Sequence, residues 1–240
     1  MEASVQARAA DTMDPGALAL ARRVDLTVRT KVFGIGLNKT GTSSLRAALE
    51  HLGYRVCGPR KHLLKAMRRG DFSGFDEVVE AYDAFEDVPW PLVFEYLYER
   101  YGSNTKFVLT TRSSPERWFK SIENHAWTSG LMSQTWKLTY GTYRPFGRER
   151  DYIEFYQNHN ARVREFFKTR GEQHRLLELC FEQGQAWAEL CNFLSKPVPE
   201  VPFPHANRTD PKRKLFNRAL NRIIEPAYSS LVRLRLSGAR

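Results

Sequence analysis

Between Gly36 and Ser43 the chain reads GLNKTGTS, with two glycines, one lysine and three hydroxyl side chains in eight residues. An apolar run, Val32-Phe33-Gly34-Ile35, comes before it, and Leu45, Ala48, Leu49 and Leu52 follow at helical spacing. A glycine-rich turn that enters a helix points backbone N–H groups at an anion, and the helix dipole adds to the attraction. Gly36 and Gly41 keep the spacing of a Walker A loop and Ser43 fills its hydroxyl position, but Thr42 stands where the Walker lysine belongs. The lysine lies inside the loop instead, at Lys39. A dinucleotide fingerprint fails as well, because no third glycine follows Gly34 and Gly36 at position 39. The chemistry supported is phosphate-like anion binding with a cation in the middle of the cradle.

Such a loop needs a strand behind it and a helix ahead of it. Val32–Ile35, Tyr54–Cys57, Lys106–Thr111 and Arg175–Cys180 read as strands. Helices are expected over Leu45–Leu52 (closed by Gly53), Lys61–Arg69, Leu92–Tyr101 (closed by Gly102), Tyr152–Lys168 and Gln185–Leu194. Another starts at Ser114-Pro115-Glu116, with a serine cap and proline at its first position. Strands alternating with helices predict a three-layer α/β fold, a central parallel sheet flanked by helices. Residues 126–150 show no clear period and read as a long surface loop or irregular helices. Trp90, Trp118 and Trp187 read as core rather than as platforms for a base.

The run NKTGTSSL, Asn38 to Leu45, resembles the 5′-phosphosulfate loop of sulfotransferases that use PAPS (3′-phosphoadenosine 5′-phosphosulfate). That loop usually reads x-x-K-[ST]-G-T-[ST]-x. The family's second motif is a strand, an arginine and then a helix bearing a serine about eight residues on. Here KFVLTTR ends at Arg112 and SSPERWFKS reaches Ser121, nine residues later, which implies a small insertion before Pro115. The stretch LLELCFEQGQAWAELCNFLSKPVPEVPFPHAN resembles a mostly microbial branch of small sulfotransferases, so the likeness covers Lys31 to Asn207. It implies a P-loop fold and PAPS as sulfuryl donor to a hydroxyl or amine of a small acceptor, with no metal. Asn38, Lys39, Thr40, Gly41, Thr42 and Ser43 would surround the 5′-phosphosulfate, Lys39 against the leaving oxygen. Arg112 and Ser121 would hold the 3′-phosphate.

Many members of the family take the acceptor's proton with a histidine in an H-L-P sequence. Glu86-Asp87-Val88-Pro89 occupies the similar place, so Asp87 stands for that base, provided that burial raises its pKa. Glu86, Asp83, His62 and His125 are alternatives, and Asp87 would otherwise cap the helix near Pro89. His205 and Asn207 either touch nucleotide or form a turn. Tyr and Trp residues within 126–156 hint at an aromatic-lined acceptor side.

The whole chain is 240 residues with a net charge of +10, unevenly placed. From Arg208 to Arg240 nine basic and two acidic residues give +7, which leaves +3 on everything before. The reading is therefore a mobile leader over 1–28, a sulfotransferase-like domain over 29–210, and a basic amphipathic helical extension over 211–240. On that extension Leu215, Phe216, Ala219, Leu220, Ile223 and Ile224 form an apolar face expected to pack on the protein's own core, and Pro226 should end or kink the helix. The basic face could meet a membrane surface or an acidic partner. No RNP, helix-turn-helix or zinc pattern supports nucleic-acid binding. Three unpaired cysteines, no apolar leader and no membrane-length apolar run point to a cytoplasmic, reducing compartment. Two rival functions stay open, a P-loop kinase and a non-catalytic nucleotide-binding module.

Overall fold

A computed structural model describes residues 30–129, 133–184, 186–205, 215 and 218–227. The leader, Asn207 and most of the 211–240 extension lie outside these residues. The described chain divides into two compact units, one of 30–113 with 160–205, the other of 114–159 with 215 and 218–227.

The first unit holds the sheet: β1 (Lys31–Gly34), β2 (Val56–Cys57), β3 (Ala84–Phe85), β4 (Thr105–Thr110) and β5 (Leu176–Leu179). All four pairings are parallel and the order is β2-β3-β1-β4-β5. Between them run α1 (Thr42–His51), α2 (Lys61–Met67), α3 (Phe75–Ala81), a short 3-10 turn at Trp90–Val93 and α4 (Phe94–Tyr101). The α/β architecture with a parallel sheet is the one the alternation of strands and helices required.

Side-chain alternation along the strands builds a core on each face. Phe33, Phe85, Phe107 and Leu109 point to one side, against Trp90, Leu97 and Phe167. Val32, Ala84 and Val108 point to the other, against Leu45, Leu49, Trp187 and Leu190. Register sets Phe33 opposite both Phe85 and Phe107, and the rings lie 4.7 and 5.6 Å apart. Each such fully buried ring contributes about 1.5–3 kcal/mol by leaving water. β3 was not expected, because two apolar residues between Asp83 and Glu86 carry no readable period. α8 (Ala186–Leu194) completes the unit, with Trp187, Leu190 and Cys191 buried.

The second unit contains α5 (Pro115–Thr128), α6 (Gln134–Tyr140), the first half of α7 (Glu149–Thr169) and a helical stretch over 218–227. The 126–150 stretch is therefore partly regular, since α5 runs to Thr128 and α6 forms within it. Several of its aromatic residues are core: Trp136, Tyr140 and Tyr152 are buried and pack on one another and on Trp118, which stacks on Tyr156 at 4.6 Å, while Trp127 and Tyr143 are half-buried. The late helix corrects a second expectation. Its inward residue is Asn221, fully buried, whose Nδ2 donates to the carbonyls of Ala126, Trp127 and Ser129 and whose Oδ1 accepts from Arg144. Carbonyls at the end of an α-helix are short of donors, so this amide is a better fit there than an apolar side chain. Leu215 and Ile223, expected to pack inward, are 70% and 77% exposed. The helix also continues through Pro226 to residue 227. No helix among the described residues is long and apolar enough to cross a membrane.

Candidate functional site

β1 lies between β3 and β4, while the chain leaving β1 returns as β2 beyond β3 and the chain leaving β4 returns as β5. The ends of β1 and β4 are therefore a switch point, where open α/β sheets bind ligands. The Gly36–Ser43 loop stands there. Ile35 N donates to Val108 O at 2.8 Å, and a Cβ on Gly36 would come within 2.0–2.7 Å of Thr110 atoms, including its backbone. Only glycine lets the loop leave that close to β4. Thr40 Oγ1 donates to Leu37 O and meets Thr110 Oγ1, both at 2.6 Å, so Thr110 donates the second bond. These bonds fix the loop before any ligand arrives.

Lys39 takes φ 70° and Gly41 φ 104°. A left-handed lysine costs on the order of 1–3 kcal/mol, and such strain gathers at functional positions. Gly41 is the cap residue of α1 and supplies no side-chain bond to the first turn. The amides that open an α-helix have no partner within it, so an uncapped N-terminus suits an anion. Beside Gly41 lies Phe181, so close that a Cβ there would fall 2.4 Å from its ring. Phe181 stacks on Phe203 at 5.0 Å, and Phe203 meets Trp187 at 4.9 Å. The Pro-Phe-Pro-His segment thus serves through Phe203, while His205 is exposed.

At the end of β3 sit two neighbouring acids. Glu86 is 3% exposed, with Arg46 of α1 3.6 Å away. Burial pushes Glu86 up to about 8, the charge of Asp87 adds to this, and Arg46 and the Thr42 hydroxyl oppose it. Burial also holds Asp87 above the usual carboxylate range, against the pull of the Val88 amide, Lys39 and Arg46. Asp87 has φ 64° and accepts from Val88 N at 2.7 Å rather than capping the turn at Trp90–Val93. A half-buried carboxylate with raised basicity, under the charge of Lys39, has the makings of a proton acceptor. Asp83 is not comparable. Burial would raise it, but the amide and guanidinium of Arg55 outweigh that and hold it low. His62 is exposed on α2, and His125 belongs to the second unit.

On the other side, Arg112 Nε donates to Lys39 O at 3.0 Å, which ties the arginine to the loop. Its Nη1 donates to Glu182 Oε1 at 2.7 Å, and the amide and hydroxyl of Ser113 both donate to Glu182 Oε2. Ser121 lies mid-way along α5, half-buried, in the second unit. The structure thus gathers Asn38–Ser43, Asp87 and Arg112 around one switch point. Sequence reasoning missed Arg46, Ser113, Phe181 and Glu182. For Arg46 a signal existed, its i,i+4 pairing with Glu50 on α1. Glu182 sits in a turn that no motif marks. Among the described residues no group of three or more His, Cys, Asp or Glu could hold a metal ion.

A parallel sheet with an uncapped glycine loop at its switch point defines an α/β protein of the P-loop type. Within that class the chain belongs to the sulfotransferase family, whose sulfotransferase domain matches residues 31–211. It is also 31% identical over 221 residues to Ava biosynthesis cluster protein M of Aspergillus versicolor, a match covering 75% of this chain and 82% of that protein.

Proposed function

We propose that the protein is a PAPS-dependent sulfotransferase acting on a hydroxyl or amine of a small acceptor. The observation that carries this is a lysine held at left-handed φ inside an uncapped anion loop, with a raised-pKa carboxylate on one side and an arginine on the other. The fit to the donor is physical: Gly36 has no room for a side chain, α1 offers its first amides, and two cations flank them. PAPS, when bound, supplies the sulfuryl group. Lys39 and the 38–43 amides bind the 5′-phosphosulfate and stabilise charge on the leaving oxygen. Asp87 takes the acceptor's proton. Arg112 binds the 3′-phosphate, and Ser121 is kept as its second ligand on the motif alone.

Thermal stabilisation by the 3′,5′-bisphosphate product against that by Mg-ATP separates this reading from a kinase. Preference for Mg-ATP would overturn it. Labelled PAPS with an acceptor panel separates it from a binding module, since binding with no transfer to any acceptor would leave the module. We further propose that exposed Ile223, beside exposed Arg218 and Arg222, meets anionic lipid headgroups. Equal pelleting with phosphatidylserine vesicles by the full chain and by one lacking 211–240 would remove that contact.

A further inference from the structure

Glu182 is the residue of the site that the proposed chemistry does not use. Its carboxylate collects three donors: the Arg112 guanidinium at 2.7 Å, the Ser113 amide at 2.9 Å and the Ser113 hydroxyl. A guanidinium, a backbone N–H and a hydroxyl converging on one small anion make a phosphate-type binding set. The side chains of the ion pair are partly covered, 29% exposed for Arg112 and 23% for Glu182. Glu182 is also held in place by its neighbour, because Phe181 is wedged between Gly41 and Phe203. The carboxylate therefore sits where the guanidinium, the amide and the hydroxyl converge.

We propose that Glu182 occupies the position that the nucleotide's 3′-phosphate takes, so that the donor binds by exchanging an internal carboxylate for its own phosphate. This rests on the sulfuryl-donor reading above and adds to it a specificity device. A nucleotide with a 3′-phosphate brings a dianion that can pair with Arg112 bidentately and displace a single carboxylate. One with only 5′-phosphates has nothing to offer Arg112, which stays neutralised by Glu182. The carboxylate thus lowers affinity for every 3′-phosphorylated ligand, and it keeps the arginine from attracting other anions. Arg112 remains attached to the loop throughout, since its Nε bond to the Lys39 carbonyl does not involve Glu182.

The test is calorimetric binding of adenosine 3′,5′-bisphosphate and of adenosine 5′-monophosphate to wild type and to Glu182→Gln. Glutamine keeps the shape and one acceptor for Arg112 but removes the charge. Because the pair is partly exposed, its loss is worth a modest factor. The bisphosphate should bind about three- to tenfold more tightly to the variant, and the monophosphate should change by less than about twofold. Unchanged or weaker bisphosphate binding to Glu182→Gln, with wild type still binding it, overturns the exchange and makes Glu182 a support for Arg112. Equal tightening of both nucleotides also overturns it, since the effect would then be general charge. No bisphosphate binding by wild type would instead defeat the donor reading itself. Circular dichroism and the melting temperature of the variant establish that it is folded.

Discussion

The turn after β1 enters its helix through Gly41, which offers α1 no side-chain cap, whereas the turn after β4 enters α5 through Ser114, whose hydroxyl accepts from Arg117 N at 3.2 Å. Two neighbouring strands thus end in turns of opposite design. The first leaves its helix amides uncapped and is made of backbone, so it depends on glycines and on a strained lysine. The second closes its own helix, and what remains for an anion is Arg112 with the amide and hydroxyl of Ser113, all held by Glu182. A backbone-made subsite tolerates little substitution but reads little of its ligand. A side-chain-made subsite is easier to change and gives selectivity.

The largest expected effect is on the first turn. If Lys39 supports the leaving oxygen as a single preorganised donor, Lys39→Ala should lower turnover by about 10²–10³. Bisphosphate affinity should fall far less, because the amides and Arg112 remain. Steady-state kinetics with PAPS, beside calorimetry with the product, reads both quantities. Unchanged turnover would remove Lys39 from the chemistry and erase the distinction between the turns. An equal loss in binding and turnover would make Lys39 a plain anion ligand.

How much of this was legible depends on how local each signal is. The first turn was readable because its glycines, lysine and hydroxyls are contiguous, and the strand and helix around it carry clear periods. Arg112 was readable as the end of the clearest strand. Its partner Glu182 was not, since the two residues are 70 apart and meet only because β4 and β5 pair. Asp87 was named from a motif position, but its raised pKa depends on burial that no run of sequence displays. The inward Asn221 ran against the apolar stripe around it, because the carbonyls it serves belong to the last turn of α5 and its C-terminal cap residue, more than 90 residues earlier.

An effect that is smaller per pH unit tests the acid beside the first turn, for which the second has no counterpart beyond an ion pair. An ordinary glutamate titrates at 4.5, whereas Glu86 is pushed up to about 8 in the fold. Between those values the folded chain holds a proton that the unfolded chain has released. Stability should therefore fall as pH rises from about 4.5 to about 8, by roughly 1.4 kcal/mol per pH unit at most, and this contribution should level off outside the window. Asp87 is raised as well and adds a slope of the same sign. Urea denaturation at pH 5, 6.5 and 8 should show the decline in wild type and a flatter profile in Glu86→Gln. The same slope in both proteins would mean that Glu86 is not the buried proton carrier.

The smallest effect falls on the second turn, and it separates the two designs most directly. Ser114 accepts the Arg117 amide, so Ser114→Ala leaves that amide without its cap and should cost about 1 kcal/mol of stability. Ser113, which faces Glu182, is untouched by the change, and the cap has no part in holding an anion. Nucleotide affinity should consequently stay within about twofold of wild type, well inside the tenfold that 1.4 kcal/mol would bring. Denaturation and bisphosphate calorimetry on the same preparation give the pair of numbers. If binding instead fell in step with stability, the start of α5 would be part of the anion site. The second turn would then work like the first, through its helix amides, and the contrast between the two would be wrong.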